Sequence, residues 1–313
     1  MFAGKGGVGK TTCSAALSYH FAMVEGKRVL CFSTDPQASL SDVFERDLYG
    51  KGITEVTENL YAVEIDADTK IENYQREIKE KIINMYGLEA LPEEIEEYIE
   101  AAAAEPAMYE SATYDAMAEL VSEGGYDVYV FDMPAFGHGV RMVAMAEILS
   151  KWVEKITEAR EKAGEYEAVA ATLRGGVKAE DKVLDELIEI REKIKTFTDL
   201  VVDKKRTAFF VVLTPEVLPI LVTERALNVF RQLGITMAGI ILNEIYPVKL
   251  LEEPGLSDFL RTKVMMQQRC LSEIRNKFGA HIVSSLPMYD REPRGLEMLK
   301  RFSEDLMFPK IVW

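Results

Sequence analysis

The chain has 313 residues, 48% of them apolar, with 37 Lys and Arg against 52 Asp and Glu and a formal net charge of −15. That balance excludes a nucleic-acid binder, because phosphate backbones are held by surplus cations, and a permanent resident of anionic lipid surfaces. The length suits one large α/β domain or two modest ones with a sizeable core.

In chain order, "MFA" (1–3) is a very short first strand that ends at the glycine-rich stretch "GKGGVGKTT" (4–12). The segment "KTTCSAALSYHFAMVEG" (10–26) reads as a helix that starts at the loop and stops at Gly26. A buried parallel strand is expected in "KRVLCFST" (27–34), and another strand in "LYAVEID" (60–66). From about Thr69 to Ser122 the pattern is helical. Residues 82–123 carry eleven acidic side chains and no Lys or Arg, the pattern of a solvated acidic face. "YDVYVFDMPAFGHG" (126–139) is an apolar strand running into a Gly-rich turn, and 140–201 is helical again, broken at 174–178. Strands and helices then alternate: strands in 206–216, 235–247 and 280–287, helices in 219–234, 257–279 and 293–306. Alternation of this kind is the signature of a mostly parallel sheet covered on both faces. The expected fold is a single α/β domain over 1–313, with a helical subdomain inserted at about 69–122 and 140–201. No apolar run reaches the roughly 18 residues of a membrane span, and no charged-then-apolar leader precedes the loop. Cys13, Cys31 and Cys270 are too scattered for a disulfide framework or a zinc pattern. A cytoplasmic protein with reduced, buried thiols is expected.

The stretch 4–12 fits G-x-x-x-x-G-K-[ST], with Gly4, Gly9, Lys10 and Thr11 in the fixed places, a strand before it and a helix after it. Backbone N–H groups of Gly4 to Thr12, including Gly6, Gly7 and Val8, are expected to wrap a nucleotide's phosphates, helped by the helix N-terminus. Lys10 would reach the outer phosphates and Thr11 would offer its hydroxyl to Mg²⁺. Lys5 is a second lysine on the rim of the same loop. Its own nucleotide is served by Lys10, so a long cation there suits phosphates held by another subunit, as an arginine finger does.

A phosphate loop with this extra lysine resembles that of the deviant Walker A ATPases, and the downstream motifs resemble one branch: the arsenical pump-driving and tail-anchored-protein-targeting ATPases. "STDPQASLSDVF" (33–44) is similar to the family's switch I, with Gln37 and Ala38 departing from its usual Ala and His. The resemblance implies that Asp35 orients the attacking water and that Asp42 is a second switch aspartate. "VYVFDMPAFGHGVRM" (128–142) resembles switch II. It implies that Asp132 holds Mg²⁺ through water, with Gly137 and His138 in the switch, while residues 133–136 depart from the family pattern. "ILNEIYP" places Asn243 where the family reads adenine, and Pro287 opens the loop (286–299) that closes over the base.

The resemblance also implies a homodimer driven by ATP and Mg²⁺, with a hydrophobic transmembrane helix as client, or a membrane receptor or pump as partner. Family members that share a zinc carry C-x-x-C on a late helix. Alignment puts Met265 and Gln268 there, so no zinc is expected. The regions where bacterial pump-driving members carry arsenite-binding cysteines, near Ala103 and Lys162, hold none. Met142, Met145, Leu149, Trp152 and Ile156 form one apolar helical stripe. Val183, Leu187, Ile190, Ile194, Phe197 and Val201 form another. They either pack on each other and the sheet or line a client groove. The reading is a membrane-protein-targeting switch ATPase, with an oxyanion pump-driving ATPase or a switch for another client as alternatives.

Overall fold

The computed structural model describes residues 1–34, 39–86, 89–136, 154–159 and 182–309, together with residues 151 and 162. Among the described residues eight strands form one sheet: β1 (Phe2–Ala3), β2 (Val29–Ser33), β3 (Thr54–Thr57), β4 (Leu60–Glu64), β5 (Val128–Asp132), β6 (Phe209–Leu213), β7 (Met237–Ile245) and β8 (Ile282–Pro287). Their order is β3-β4-β2-β5-β1-β6-β7-β8, parallel throughout except for the edge strand β3, which pairs antiparallel to β4. The α/β fold with a mostly parallel sheet is therefore as the alternation predicts. β3 is the exception. "TEVT" is short with one apolar residue, Val56, so it lacks the apolar run of a central strand.

Among the described residues the helices with defined bounds are α1 (Lys10–Met23), α2 (Ser39–Phe44), α3 (Ala67–Tyr86), α4 (Glu93–Ala103), α5 (Pro106–Glu123), α6 (Lys182–Val202), α7 (Val217–Gln232), α8 (Asp258–Phe278) and α9 (Gly295–Met307). Because helices cover both faces, successive residues of each strand enter different cores. Leu30 and Phe32 belong to one cluster with Met117, Phe197 and Phe230. Val29 and Cys31 belong to the other with Cys13, Ala16 and Leu299. Small residues on α1 (Cys13, Ser14, Ala15, Ala16, Ser18) are fully buried, which lets this helix lie close against the sheet and α9. The Ser14 and Ser18 hydroxyls donate back to the carbonyls of Thr11 and Ser14, so their burial costs no unpaired group. Cys13 and Cys31 are core residues, and burial pushes both thiols up, that of Cys31 to about 12.

The described residues of this region fold mainly into α3, α4 and α5, as the helical pattern from about Thr69 to Ser122 predicts. Its acidic run is not simply solvated. Lys70 on α3 pairs with Asp115 and Glu119 of α5, Tyr74 donates to Asp115, and Lys79 reaches Glu96 of α4 at 2.6 Å. Glu110 is buried. The C-terminal half of the second apolar stripe is core rather than groove. Ile194, Phe197 and Val201 are buried, Phe197 packs edge-on to Tyr114, and the Tyr114 hydroxyl donates to the Ile194 carbonyl at 3.0 Å. Leu187 and Ile190 lie on α6, but their side chains fall outside the described set. Gly137, His138, Met142, Met145, Leu149 and Trp152 lie outside the described residues.

Candidate functional site: a phosphate loop at the strand ends

The site sits where β1 hands over to α1 at the C-terminal ends of the parallel strands. Gly4 approaches β6 so closely that a Cβ would lie 2.6 Å from the Val212 carbonyl oxygen. Gly9 adopts φ 87°, left-handed, and a Cβ there would lie 2.3 Å from the Asn243 amide nitrogen. Gly9 is also the residue that precedes α1, so that helix has no side-chain cap. Its first turn carries no acidic residue. Its leading N–H groups and positive end are thus left for an anion. Val8 is packed into the core, which anchors the loop between its glycines.

A cavity of about 830 Å³ opens over this loop, within the range of small-molecule sites. Gly6, Gly7, Gly9, Lys10, Thr11 and Thr12 form its floor. On the β5 and β2 side its wall includes Thr34, Ser39, Asp42, Pro134 and Ala135, joined by Tyr109, Glu110 and Thr113 of α5. On the β7 and β8 side are Asn243, Glu244, Pro287, Met288 and Tyr289.

Asp132 ends β5 fully buried. Its Oδ2 accepts from the Thr11 hydroxyl at 2.7 Å and from Ser33 at 3.2 Å, and Thr11 Oγ1 lies 3.2 Å from Ser39 Oγ. The Ser33 contact follows from register, since Ser33 and Asp132 are paired partners on adjacent strands. One carboxylate and neighbouring hydroxyls form a hard oxygen set, which suits Mg²⁺ shared with phosphates and water rather than zinc. Among the described residues no group of three His, Cys, Asp or Glu could enclose a metal. Met265, half exposed on α8, and Gln268 offer no thiolate.

Lys10 is buried in the floor, while the Lys5 ammonium donates to the Gly6 carbonyl at 3.3 Å in an exposed contact. The opening of the loop after β5 is tied down by backbone bonds, Met133 N–H to Phe2 O and Phe136 N–H to Gly4 O. Asp35, the residue expected to orient water, lies outside the described residues. The helix that follows it is pinned: Glu64, buried at the end of β4, accepts from the N–H groups of Leu40 and Ser41 at 2.8 and 3.0 Å and from the Ser41 hydroxyl at 2.7 Å. Asp42 on that helix is exposed and lines the cavity.

Across the floor, Asn243 donates from Nδ2 to the Val8 carbonyl at 3.0 Å. Its Oδ1 and second amide hydrogen leave a donor–acceptor pair of the kind that matches the N6 and N7 edge of adenine. Glu244 follows at φ 59°, and burial followed by the nearby Glu216 raises its carboxyl. Gln267 of α8 supports this strand end, accepting from Tyr246 N–H at 2.8 Å and donating to Glu244 O at 2.9 Å.

Sequence reasoning did not find Glu64, Ser33, Ser39 or the α5 residues. A carboxylate inside "LYAVEID" carries no signal of its own, and a threonine on a helix looks like any other.

The anion-transporting ATPase family matches residues 1–308. The Aquifex aeolicus (strain VF5) protein designated, provisionally, arsenical pump-driving ATPase 2 is 33% identical over 307 residues, 97% of each chain. The Paramecium tetraurelia ATPase ASNA1 homolog 2 is 27% identical, covering 99% of this chain and 93% of its own. The Arabidopsis thaliana ATPase GET3A is 28% identical, covering 98% and 82%.

Proposed function

Because the chain belongs to the anion-transporting ATPase family and is an ATPase, we propose that it works as a homodimeric, Mg-ATP-driven switch that binds and delivers a hydrophobic membrane-protein client. The observation that carries this reading is α5. One helix supplies Tyr109, Glu110 and Thr113 to the nucleotide cavity and Tyr114 and Met117 to the packing of the helical layer. Nucleotide and client surface would then share a rigid element. Exposed Ile78, Ile95 and Tyr98 on α3 and α4 supply apolar surface in that layer, and a transmembrane client of about 20 residues would need some 30 Å of it. Leu187 and Ile190, with Met142, Met145, Leu149 and Trp152, are kept as client-surface candidates.

In this reading the loop N–H groups and Lys10 bind the phosphates, and Asn243 and Pro287 flank the base. Asp35 orients the attacking water, and Asp42, Gly137 and His138 move with the switches. Thr11 and Asp132 would hold Mg²⁺, which supplies charge neutralisation to the outer phosphates. Lys5 acts on the partner subunit's nucleotide.

The test is a pull-down with an Asp35→Asn chain in ATP, followed by mass spectrometry. Enrichment of single-span membrane proteins supports the reading, and their absence overturns it. The name of the Aquifex relative favours a second reading, an arsenical pump-driving ATPase. Antimonite-stimulated hydrolysis would select it. Mixing Lys5→Ala with Asp35→Asn chains tests the action in trans. Proven heterodimers as inactive as their parents would remove it.

A further inference from the structure

Two threonines in the cavity wall carry hydroxyls that have no use in the site as described. Thr34 and Thr113 are 2% and 3% exposed, and neither Oγ1 has a hydrogen-bond partner. Thr34 directly follows β2. Thr113 lies on α5, and both residues line the same cavity. The next residue on α5 behaves differently, since the Tyr114 hydroxyl is fully engaged with Ile194 and Thr198. An unpaired buried hydroxyl is costly, and native proteins hold few. Two on the wall of one ligand cavity point to a ligand that supplies their partners.

Position identifies the ligand group. The sheet order sets β5 and β2 on one side of β1, and β7 and β8 on the other. Thr11 and Asp132 would hold Mg²⁺, which would neutralise charge on the outer phosphates, so they mark the phosphate end of that side. Thr34, following the strand next to β5, and Thr113, on the helix that leads into β5, belong to that side. The group placed there is the outermost phosphate, whose oxygens accept hydrogen bonds from hydroxyls.

We propose that Thr113, together with Thr34, is a binding residue for the third phosphate, so that a helix of the client layer reads directly whether ATP or ADP is present. This rests on the nucleotide-site reading above.

The experiment compares wild type, Thr113→Val and Thr113→Ser, with Thr34→Val in support, by calorimetric titration of ADP and of a non-hydrolysable ATP analogue in Mg²⁺. A hydrogen bond to a charged group predicts a loss of about 10-fold or more. The expected result is that loss for the analogue alone in Thr113→Val, ADP affinity unchanged, and recovery in Thr113→Ser. Equal losses for both nucleotides, or no loss for either, overturn the proposal. A higher melting temperature for Thr113→Val without any nucleotide selectivity also overturns it, marking the hydroxyl as a packing defect. Wild-type protein that binds neither nucleotide sinks the site reading itself, and the proposal with it.

Discussion

The two sides of the cavity over the glycine-rich loop are built differently. On the β7 and β8 side the polar groups are bonded within the protein: Asn243 to the Val8 carbonyl, Gln267 to Tyr246 and Glu244, and the Tyr289 hydroxyl to Asp305. On the β5 and β2 side Lys10 is buried in the floor, and two hydroxyls have no partner. The first side is largely preorganised, with Asn243 keeping only its Oδ1 and second amide hydrogen for a ligand. The second carries unmet polar demand that a phosphate group can satisfy. Ligand energy should therefore come mostly from the phosphate side, and resting stability mostly from the other.

The largest effect expected is from Lys10→Met, which keeps the aliphatic stem and removes the charge. A lysine–phosphate pair about 4 Å apart is worth about 4 kcal/mol at an effective dielectric of 20, or nearly 10³-fold. Phosphate release should fall by that order. The melting temperature without nucleotide should hold or rise, because a buried ammonium is no longer carried. A large drop in that temperature would mean the phosphate side is prepaid after all.

Gly9→Ala strikes the seam between the sides. The added Cβ would meet the Asn243 amide at 2.3 Å, at a φ of 87°, and the left-handed conformation alone costs about 1–2 kcal/mol for an L-residue. Nucleotide affinity and melting temperature should both fall. Adding Asn243→Ala should recover the steric part and leave the conformational part. Full recovery in the double variant would show that Gly9 is required for space alone.

The loop was legible because steric demands leave a mark in sequence. Gly4 and Gly9 have neighbours within 3 Å of any Cβ, and only glycine fits. Asp132 was legible because an acid at the end of an apolar strand has few other reasons to be there. The α5 wall was not. Thr113, Tyr109 and Glu110 reach the cavity through the tertiary placement of a helix whose acidic pattern points to solvent. That placement depends on pairs far apart in sequence, such as Lys70 with Asp115 and Glu119. Glu64 escaped for a similar reason, since its two N–H partners lie on a helix more than twenty residues earlier. The stripe ending in Ile194, Phe197 and Val201 carries the same periodicity whether it faces a client or a core, and here the core took it.

Gln267→Leu should be milder than Gly9→Ala on binding and clear on stability. It strands the Tyr246 N–H and the Glu244 carbonyl, both held by this buried amide. A cost of about 2 kcal/mol is expected from groups left unpaired, read as a lower midpoint in urea. ATP and ADP affinities should shift together and by little. A selective loss of ATP would place part of the third-phosphate recognition on the side where none is expected.

The smallest effect is a matter of pH at Glu244. Burial, then the charge of Glu216, raises its folded-state carboxyl above the ordinary 4.5. Between that value and the raised one, the folded protein holds more of this proton than the unfolded chain does. Its contribution to stability therefore falls as pH rises through the window and stays low above it. Glu244→Gln removes the penalty. The variant should melt slightly higher than wild type at pH 8, and the gain should shrink to nothing as pH drops below 4.5. A gain that persists in acid would come from packing or backbone, not from the charge. A loss at pH 8 would mean the ionised carboxylate is itself in use, and the β7 side would no longer count as fully satisfied before nucleotide binds.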